Sequence, residues 1–301
     1  MRAPEATFLA QALAVKQVVG DLPVIAVGRF GDPAQAMAAL DEAKVDFVAL
    51  GRPLIADPDW PRKTQAGRPV RRCLACNTCI NEMRSGQIIG CYVNPIAGCE
   101  TAFTEDRRPR GERIAVVGAG PAGLSFASLV AEHCRVTVFD HADKPGGALR
   151  DAGKAPRFQD VEAAERPLLT YIAELERDCR DKGVEFRYGV DVVAEPRLVE
   201  GFDRVVVATG AAYRFGLGPF VRMLLDSRFA CSRLMTRLFD VPGFRKCFYY
   251  YLRRETGSRI ARRIRLVSPN VTTMIIGDAK QPGKGQAAVR DAFVTAFLRP
   301  V

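Results

Sequence analysis

The chain has 301 residues, of which 48% are hydrophobic, and it carries 44 Lys and Arg against 34 Asp and Glu. This composition suits a globular protein of one large or two ordinary domains, and no apolar run is long enough to predict a membrane span. Its 9 cysteines are odd in number and four are clustered, which favours a metal site in a reducing compartment over a disulfide framework. We therefore expect a cytoplasmic protein.

Residues 1–66 alternate helical and strand patterns. An amphipathic pattern over residues 5–19 precedes two short apolar runs at 22–30 and 46–53, and a helix begun by Asp32 separates them. Two parallel strands joined by one helix form a βαβ crossover.

Each predicted strand ends in a Gly–Arg pair, namely Gly28–Arg29 and Gly51–Arg52. The carboxyl ends of parallel strands are where α/β folds bind ligands, and a guanidinium beside a glycine suits a phosphate. We favour phosphate binding at both pairs. The alternative is that each arginine is a solvated loop charge.

Four cysteines follow, at spacings of two, two and eleven residues: Cys73, Cys76, Cys79 and Cys91. Structural zinc sites usually draw two pairs of ligands from two knuckles, whereas three close cysteines and one remote cysteine are typical of iron–sulfur ligation. We favour an iron–sulfur cluster in the segment 67–100. A zinc site and plain buried thiols remain open alternatives.

A charged stretch at 101–112 predicts a linker, and a second α/β unit begins at Arg113. There an apolar strand runs directly into G-x-G-x-x-G (Gly118, Gly120, Gly123) and a helix, and a second strand ends at Asp140. This context predicts a dinucleotide site, with the pyrophosphate at the helix N-terminus and Asp140 accepting from the ribose. The alternative is a tight turn without a ligand.

Further strands are predicted at 184–188, 204–210 and 272–278, with helices at 168–179 and 287–298. Between residues 218 and 266 there are 12 Lys and Arg against 3 acids, which predicts amphipathic helices with an arginine-rich face. This local basicity argues against a general nucleic-acid protein. The open roles are a solvated cap on the nucleotide domain, docking of an acidic electron-carrier protein, and contact with an anionic membrane surface.

Taken in order, these motifs resemble the C-terminal half of the iron–sulfur flavoenzymes related to old yellow enzyme, such as 2,4-dienoyl-CoA reductase and trimethylamine dehydrogenase. The match extends over residues 20–215 and 271–296. It implies an α/β fold: the last two units of a (β/α)8 barrel at 1–66, a four-cysteine segment, and a Rossmann-like FAD-binding domain at 113–301 with a basic helical insertion at 216–268.

The resemblance also implies roles for the motif residues. The four Gly–Arg residues would hold the FMN phosphate, and the four cysteines would bind a [4Fe–4S] cluster. The remaining residues would line an FAD site: Gly118, Gly120, Gly123, Asp140, Gly147, Thr209, Gly210, Gly277 and Asp278. The implied function is a flavin- and cluster-dependent oxidoreductase that passes electrons between FMN, cluster and FAD.

Two departures from that family pattern qualify this prediction. A barrel needs eight units, so we expect a barrel-bearing region or partner subunit to complete residues 1–66, and the strands that would carry catalytic residues are missing. Only 66 residues separate Gly210 from Gly277, which leaves no room for an NAD(P)H domain. We expect that electrons do not enter through NAD(P)H there. The rival function is a non-catalytic electron-transfer or flavin-binding module that docks a partner through its basic helices.

Overall fold

A computed structural model describes residues 4–42, 45–103, 106, 108–154, 157–158, 161–162, 164–213, 223, 227, 232–241 and 253–297. The chain divides into two compact units, Met1–Gly98 and Cys99–Val301. None of the described helices combines the length and the apolarity that crossing a membrane would require.

The first unit is built on the predicted βαβ crossover. Its strands pair in parallel, with Ile25 opposite Phe47 and Ala26 opposite Val48. They are shorter than the apolar runs that predict them, because a two-stranded sheet offers the flanking residues no further partner. The elements are α1 (Leu9–Val19), β1 (Ile25–Ala26), α2 (Pro33–Asp41), β2 (Phe47–Val48), α3 (Arg52–Ala56), α4 (Trp60–Gln65) and α5 (Thr78–Arg84).

Helix α2 begins as the sequence predicts, since the Asp32 carboxylate accepts from the Ala34 N–H at 3.1 Å. The core of the first unit is small and lies on one side of the crossover. This core includes the buried side chains of Phe30 and Trp60, and the Trp60 indole donates to the Gly31 carbonyl at 3.3 Å. In contrast, Ile25 and Phe47 are 61% and 56% exposed, so the other side of the strand pair is an open apolar face.

The second unit contains a Rossmann-like sheet of five parallel strands. Their order is β11 (Thr272–Ile275), β8 (Arg204–Val207), β3 (Arg113–Val117), β4 (Arg135–Asp140) and β7 (Glu185–Tyr188). The central strand β3 runs from the linker into the glycine-rich turn, as the sequence predicts. The strands of the unit are β3 (Arg113–Val117), β4 (Arg135–Asp140), β5 (Arg157–Phe158), β6 (Val161–Glu162), β7 (Glu185–Tyr188), β8 (Arg204–Val207), β9 (Ala211–Tyr213), β10 (Arg253–Glu255) and β11 (Thr272–Ile275). Its described α-helices are α6 (Pro121–Val130), α7 (Leu149–Ala152), α8 (Glu165–Asp181), α9 (Arg233–Asp240), α10 (Gly257–Val267) and α11 (Gly285–Phe297).

Both faces of this sheet are buried. Ile114 and Val116 of β3 belong to a core that contains residues of α6 and α11, while Ala115 and Val117 belong to one that contains residues of α10. Successive side chains of a strand point to opposite faces, so a continuous apolar run is what a doubly covered strand requires.

The structure divides the predicted basic insertion into different pieces. Strand β10 returns to pair antiparallel with β9, and α10 packs on the sheet through Ile260 and Ile264. The stretch from residue 253 onward therefore packs with the sheet of the second unit. Helix α9 begins at its Ser232 cap and buries Met235, whereas Leu234 is 64% exposed. The other residues of the predicted helices lie outside the described residues: Val221, Leu224, Leu225, Phe244, Phe248, Tyr251 and Leu252.

Candidate functional site

The first candidate site is a pocket in the first unit around which the four motif cysteines meet. The pocket is partly open to solvent. Its sulfur-bearing lining is Cys73, Cys76, Cys79 and Cys91. The close trio and the remote cysteine of the sequence thus converge on one cavity.

The cysteine loop curls because two of its residues adopt left-handed backbone conformations. Ala75 has φ 52° and Asn77 has φ 59°, and helix α5 begins immediately after them. Such a conformation is costly for alanine and milder for asparagine. The curl lets the Ala75 N–H donate to the Cys73 sulfur at 3.4 Å and brings the Cys76 sulfur within 3.2 Å of the Thr78 hydroxyl. Strain of this kind is characteristic of ligand-holding loops.

Burial favours the protonated thiol at three of these cysteines, Cys73, Cys79 and Cys91. It raises the pKa of Cys73 and Cys79, and it raises the pKa of Cys91 to about 11. Neighbouring thiols add to the effect, while N–H groups of Val93 and Asn94 oppose it at Cys91. A cationic metal centre would reverse this balance, because metal binding displaces thiol protons.

Arg52 also lines the cysteine pocket. Its guanidinium donates to the Asn77 side-chain oxygen at 2.7 Å, and its charge partly offsets the rise that burial causes in the pKa of Cys73 and Cys79. Sequence patterning pairs Arg52 with a phosphate, and the structure places it against the cysteines.

A second pocket adjoins the first. Arg29, Arg52 and Cys73 line it together with Gly31, Pro53, Glu5 and Ala75. Arg29 has a left-handed φ of 57° and Gly28 has φ 127°, so the chain turns sharply at the first Gly–Arg pair. A Cβ on Gly28 would meet Phe8 at 3.0 Å, whereas one on Gly51 would meet nothing within 4 Å. Gly28 therefore serves packing, and Gly51 leaves open space.

The second candidate site is the glycine-rich turn between β3 and α6. A Cβ on Gly118 would lie 2.4 Å from the Ala208 carbonyl oxygen, and one on Gly123 would lie 2.0 Å from the Gly118 oxygen. Gly120, the N-cap of α6, would direct a Cβ into open space. Two glycines thus serve close backbone packing, and the third leaves room at a helix N-terminus, as a bound pyrophosphate needs.

Asp140 lies at the end of β4, where the sequence predicts the ribose acceptor. It is buried, and its carboxylate accepts from the Ala119 N–H at 2.6 Å and from the Ala142 N–H at 2.8 Å. The carboxylate therefore braces the glycine-rich turn as well. The next turn reinforces it, since the Gly146 N–H donates to the Ala119 carbonyl at 2.8 Å and Gly147 packs close to Gly120.

The remaining predicted residues lie at the ends of neighbouring strands. The Thr209 hydroxyl is 2.9 Å from that of Thr256, which also donates to the Gly210 carbonyl at 2.7 Å. Gly277 packs against Ala122 of α6, and its N–H donates to Asp291 at 2.9 Å. Asp278 accepts from the Gly283 N–H at 3.2 Å. Eight of the nine predicted residues therefore lie at the carboxyl edge of the sheet or in the turns that follow it, and Gly123 lies in the first turn of α6.

Sequence reasoning missed three supporting residues. Thr256 fixes the Thr209–Gly210 turn, Asp291 holds Gly277, and Asn77 holds Arg52. Only Asn77 carried a usable signal, because an asparagine between two of the motif cysteines suits a left-handed turn. The other two act across long stretches of chain, where no local spacing reveals them.

Each of the two units contains a region that matches a known protein family. Residues 2–71 match the NADH:flavin oxidoreductase / NADH oxidase family, and residues 116–165 match the NAD(P)-binding Rossmann-like domain. The chain is related to the NADH:flavin oxidoreductase / NADH oxidase family. The resemblance predicted from its motifs is thereby confirmed, as is the α/β fold that it implied.

Relatives in this family are flavin-dependent oxidoreductases. The chain is 37% identical over 219 residues to a metal reductase of Desulforamulus reducens, and the match covers 70% of this chain and 32% of that protein. It is 36% identical over 203 residues to an NADH oxidase of Thermoanaerobacter brockii, covering 65% of this chain and 30% of the relative. The chain thus spans about a third of the length of these relatives.

Solved structures agree on the fold. A 2-naphthoyl-CoA reductase complex superposes with a TM-score of 0.78 at 19% identity, covering 100% of this chain and 58% of that one. The 6-hydroxypseudooxynicotine amine oxidase of Pseudomonas geniculata N1 gives 0.77, also at 19% identity, over 99% of this chain and 59% of its own.

Proposed function

We propose that this chain is the electron-transfer portion of a flavin- and [4Fe–4S]-dependent oxidoreductase, in which electrons pass between FMN, the cluster and FAD. The observation that carries the proposal is the convergence of Cys73, Cys76, Cys79 and Cys91 on one pocket. When bound, these cofactors would supply the redox chemistry, while the protein binds, orients and shields them.

The donor set fits an iron–sulfur cluster better than zinc. Four thiols and no imidazole or carboxylate line the pocket. Among the described residues, no three or more His, Cys, Asp or Glu side chains are arranged around a single metal ion. Structural zinc usually draws two pairs of ligands from two knuckles, whereas three close cysteines and one remote cysteine are typical of iron–sulfur ligation. The N–H donor from Ala75 to Cys73 is of the kind that tunes such clusters.

The second unit fits the adenine end of FAD. The free space beside Gly120 would admit the pyrophosphate to the N–H groups of α6. Asp140 would accept from the ribose with the lone pairs that Ala119 and Ala142 leave free. The strand ends at Thr209–Gly210 and Gly277–Asp278 would enclose the rest of the cofactor.

The first unit fits only the phosphate end of FMN. Arg29 and the amide groups around Gly51 would contact it, and the catalytic residues would belong to barrel strands outside residues 1–66. The exposed Ile25 and Phe47 support a barrel-bearing region or subunit as the partner of this face, since such apolar side chains are rarely left together in water. We further propose an acidic electron carrier as the partner of the basic segment 218–266.

Anaerobic purification with iron, sulfide and flavin analysis tests the proposal. We expect about 4 irons and about 4 acid-labile sulfides per chain, as a [4Fe–4S] cluster requires, together with one FAD. Zinc in place of iron would overturn the assignment of the cluster. Uptake of NADPH but not of FAD would overturn the assignment of the FAD site. Addition of a barrel fragment from a related protein then tests for FMN binding. Uptake of FMN supports an enzyme, and failure to take up FMN supports the non-catalytic module.

A further inference from the structure

Arg52 stands out among the charged residues of the first unit because it faces two pockets at once. It lines the cysteine pocket and also the adjoining pocket that contains Arg29. The neighbouring residue Pro53 fixes the start of α3, so the backbone that carries Arg52 is held in place.

The orientation of Arg52 is set by the cysteine loop itself. Its guanidinium donates to the Oδ1 atom of Asn77, which lies between Cys76 and Cys79 in a left-handed conformation. A guanidinium has five donors in a planar fork, so this bond leaves others for the pocket. Among the side chains that line the cysteine pocket, Arg52 alone is a cation.

We propose that Arg52 is a positioning residue that raises the reduction potential of the cluster held by the four cysteines, rather than a simple phosphate ligand. The inference rests on the proposed cluster. Reduction adds one electron, and hence one negative charge, to the cluster and its thiolates, and no bond to the protein forms or breaks. A fixed cation beside a buried site stabilises that added charge more than it stabilises the oxidised form.

The test is a redox titration of the cluster in the intact chain, followed by its electron paramagnetic resonance signal, with dithionite supplying the electron. Arg52→Gln removes the charge and retains a side-chain amide near Asn77, and Arg52→Lys retains the charge. We expect the potential to fall in R52Q and to stay near wild type in R52K.

Two controls separate position from net charge. Arg29→Gln removes the matched arginine of the other Gly–Arg pair, which lines the second pocket but not the cysteine pocket. Arg62→Gln removes a cation from a side chain that is 84% exposed. R62Q is expected to leave the potential of the cluster near that of the wild type, because water screens an exposed charge, and R29Q is expected to lower the potential by less than R52Q does.

The outcomes divide cleanly. A wild-type potential in R52Q, or an equal fall in R52Q and R52K, overturns the inference, as does a fall in R29Q or R62Q as large as that in R52Q. Loss of the cluster from R52Q supports it if R52K restores cluster and potential, and overturns it if R52K does not. Absence of iron and sulfide from the wild-type chain is a different result, since that refutes the proposed cluster itself.

Discussion

The two units bury their apolar residues to very different extents. In the second, β3 is covered on both faces, and Ile114, Ala115 and Val116 are completely buried. In the first, the strand pair is covered on one face only, and Ile25 is 61% exposed. The second unit thus has the core of a self-contained domain. The first unit has a smaller core, and buried polar contacts add to its stability. Disrupting each kind of support should therefore have different effects.

Gly123→Ala should have the largest effect, because its Cβ would lie 2.0 Å from the Gly118 carbonyl oxygen. We expect destabilisation of the second unit by about 4 kcal/mol and loss of FAD, measured by thermal unfolding and flavin fluorescence. Gly120→Ala is the matched control, since its Cβ meets nothing within 4 Å. It should leave the unfolding temperature nearly unchanged and still weaken FAD binding. Equal unfolding temperatures for the two variants would contradict this.

Cys73→Ser should remove the metal support of the first unit. We expect loss of most of the iron and of the visible absorption band, and earlier proteolysis within residues 1–98, because ligand binding to the folded state stabilises it. Cys134→Ser is the control, since that thiol lies in the other unit and donates to the Pro109 carbonyl at 3.0 Å. Full iron content in C73S would remove Cys73 from the ligand set.

Asp57→Asn tests the buried polar support of the first unit. Asp57 is 2% exposed and accepts from Lys63 at 2.7 Å and from the Arg71 N–H at 2.9 Å. Arg71 lies two residues before Cys73, where the cysteine loop begins. Removal of its charge leaves Lys63 unpaired, and we expect a loss of about 3 kcal/mol of unfolding free energy. Denaturant unfolding of the variant measures it, with Asp59→Asn as control, because the Asp59–Arg62 pair is exposed.

The same carboxylate predicts a pH dependence. Burial raises the pKa of Asp57, but the Arg71 N–H and the Lys63 ammonium outweigh burial and hold the pKa below its ordinary value of 3.8. A depressed pKa contributes stability above the unfolded-state pKa and loses it as pH falls through the folded-state pKa. Unfolding of the wild type between pH 6 and pH 2 should therefore show an acid-side loss that D57N lacks; parallel curves would exclude this contribution.

Ile25→Thr should have the smallest effect. Its side chain is mostly in water, so we expect a change in stability within about 0.5 kcal/mol by denaturant titration. Phe30→Ala, at a side chain that is 1% exposed, should cost about 4 kcal/mol in the same unit. If a barrel-bearing partner covers the open face, I25T should weaken that association while leaving the isolated chain unchanged.

The sequence by itself determined the parts of this protein that depend on local pattern. The strand–glycine–helix motif at β3–α6, the Asp32 cap of α2 and the cysteine spacing each follow from constraints within a few residues. The family resemblance followed from the order of those motifs. The predictions of the α/β fold, of the strand–glycine–helix motif and of the Asp32 cap succeeded because backbone conformation and hydrophobic period are encoded locally.

Only the tertiary structure decided the contacts between distant residues. It placed Arg52 against the cysteines through its hydrogen bond to Asn77, brought the Thr256 and Thr209 hydroxyls together, and packed α10 onto the sheet of the second unit. It also showed that Gly118 and Gly123 serve packing while Gly120 leaves space for a ligand. Spacing shows which residues are able to act, but their partners depend on the packing of strands and helices that lie far apart in the chain.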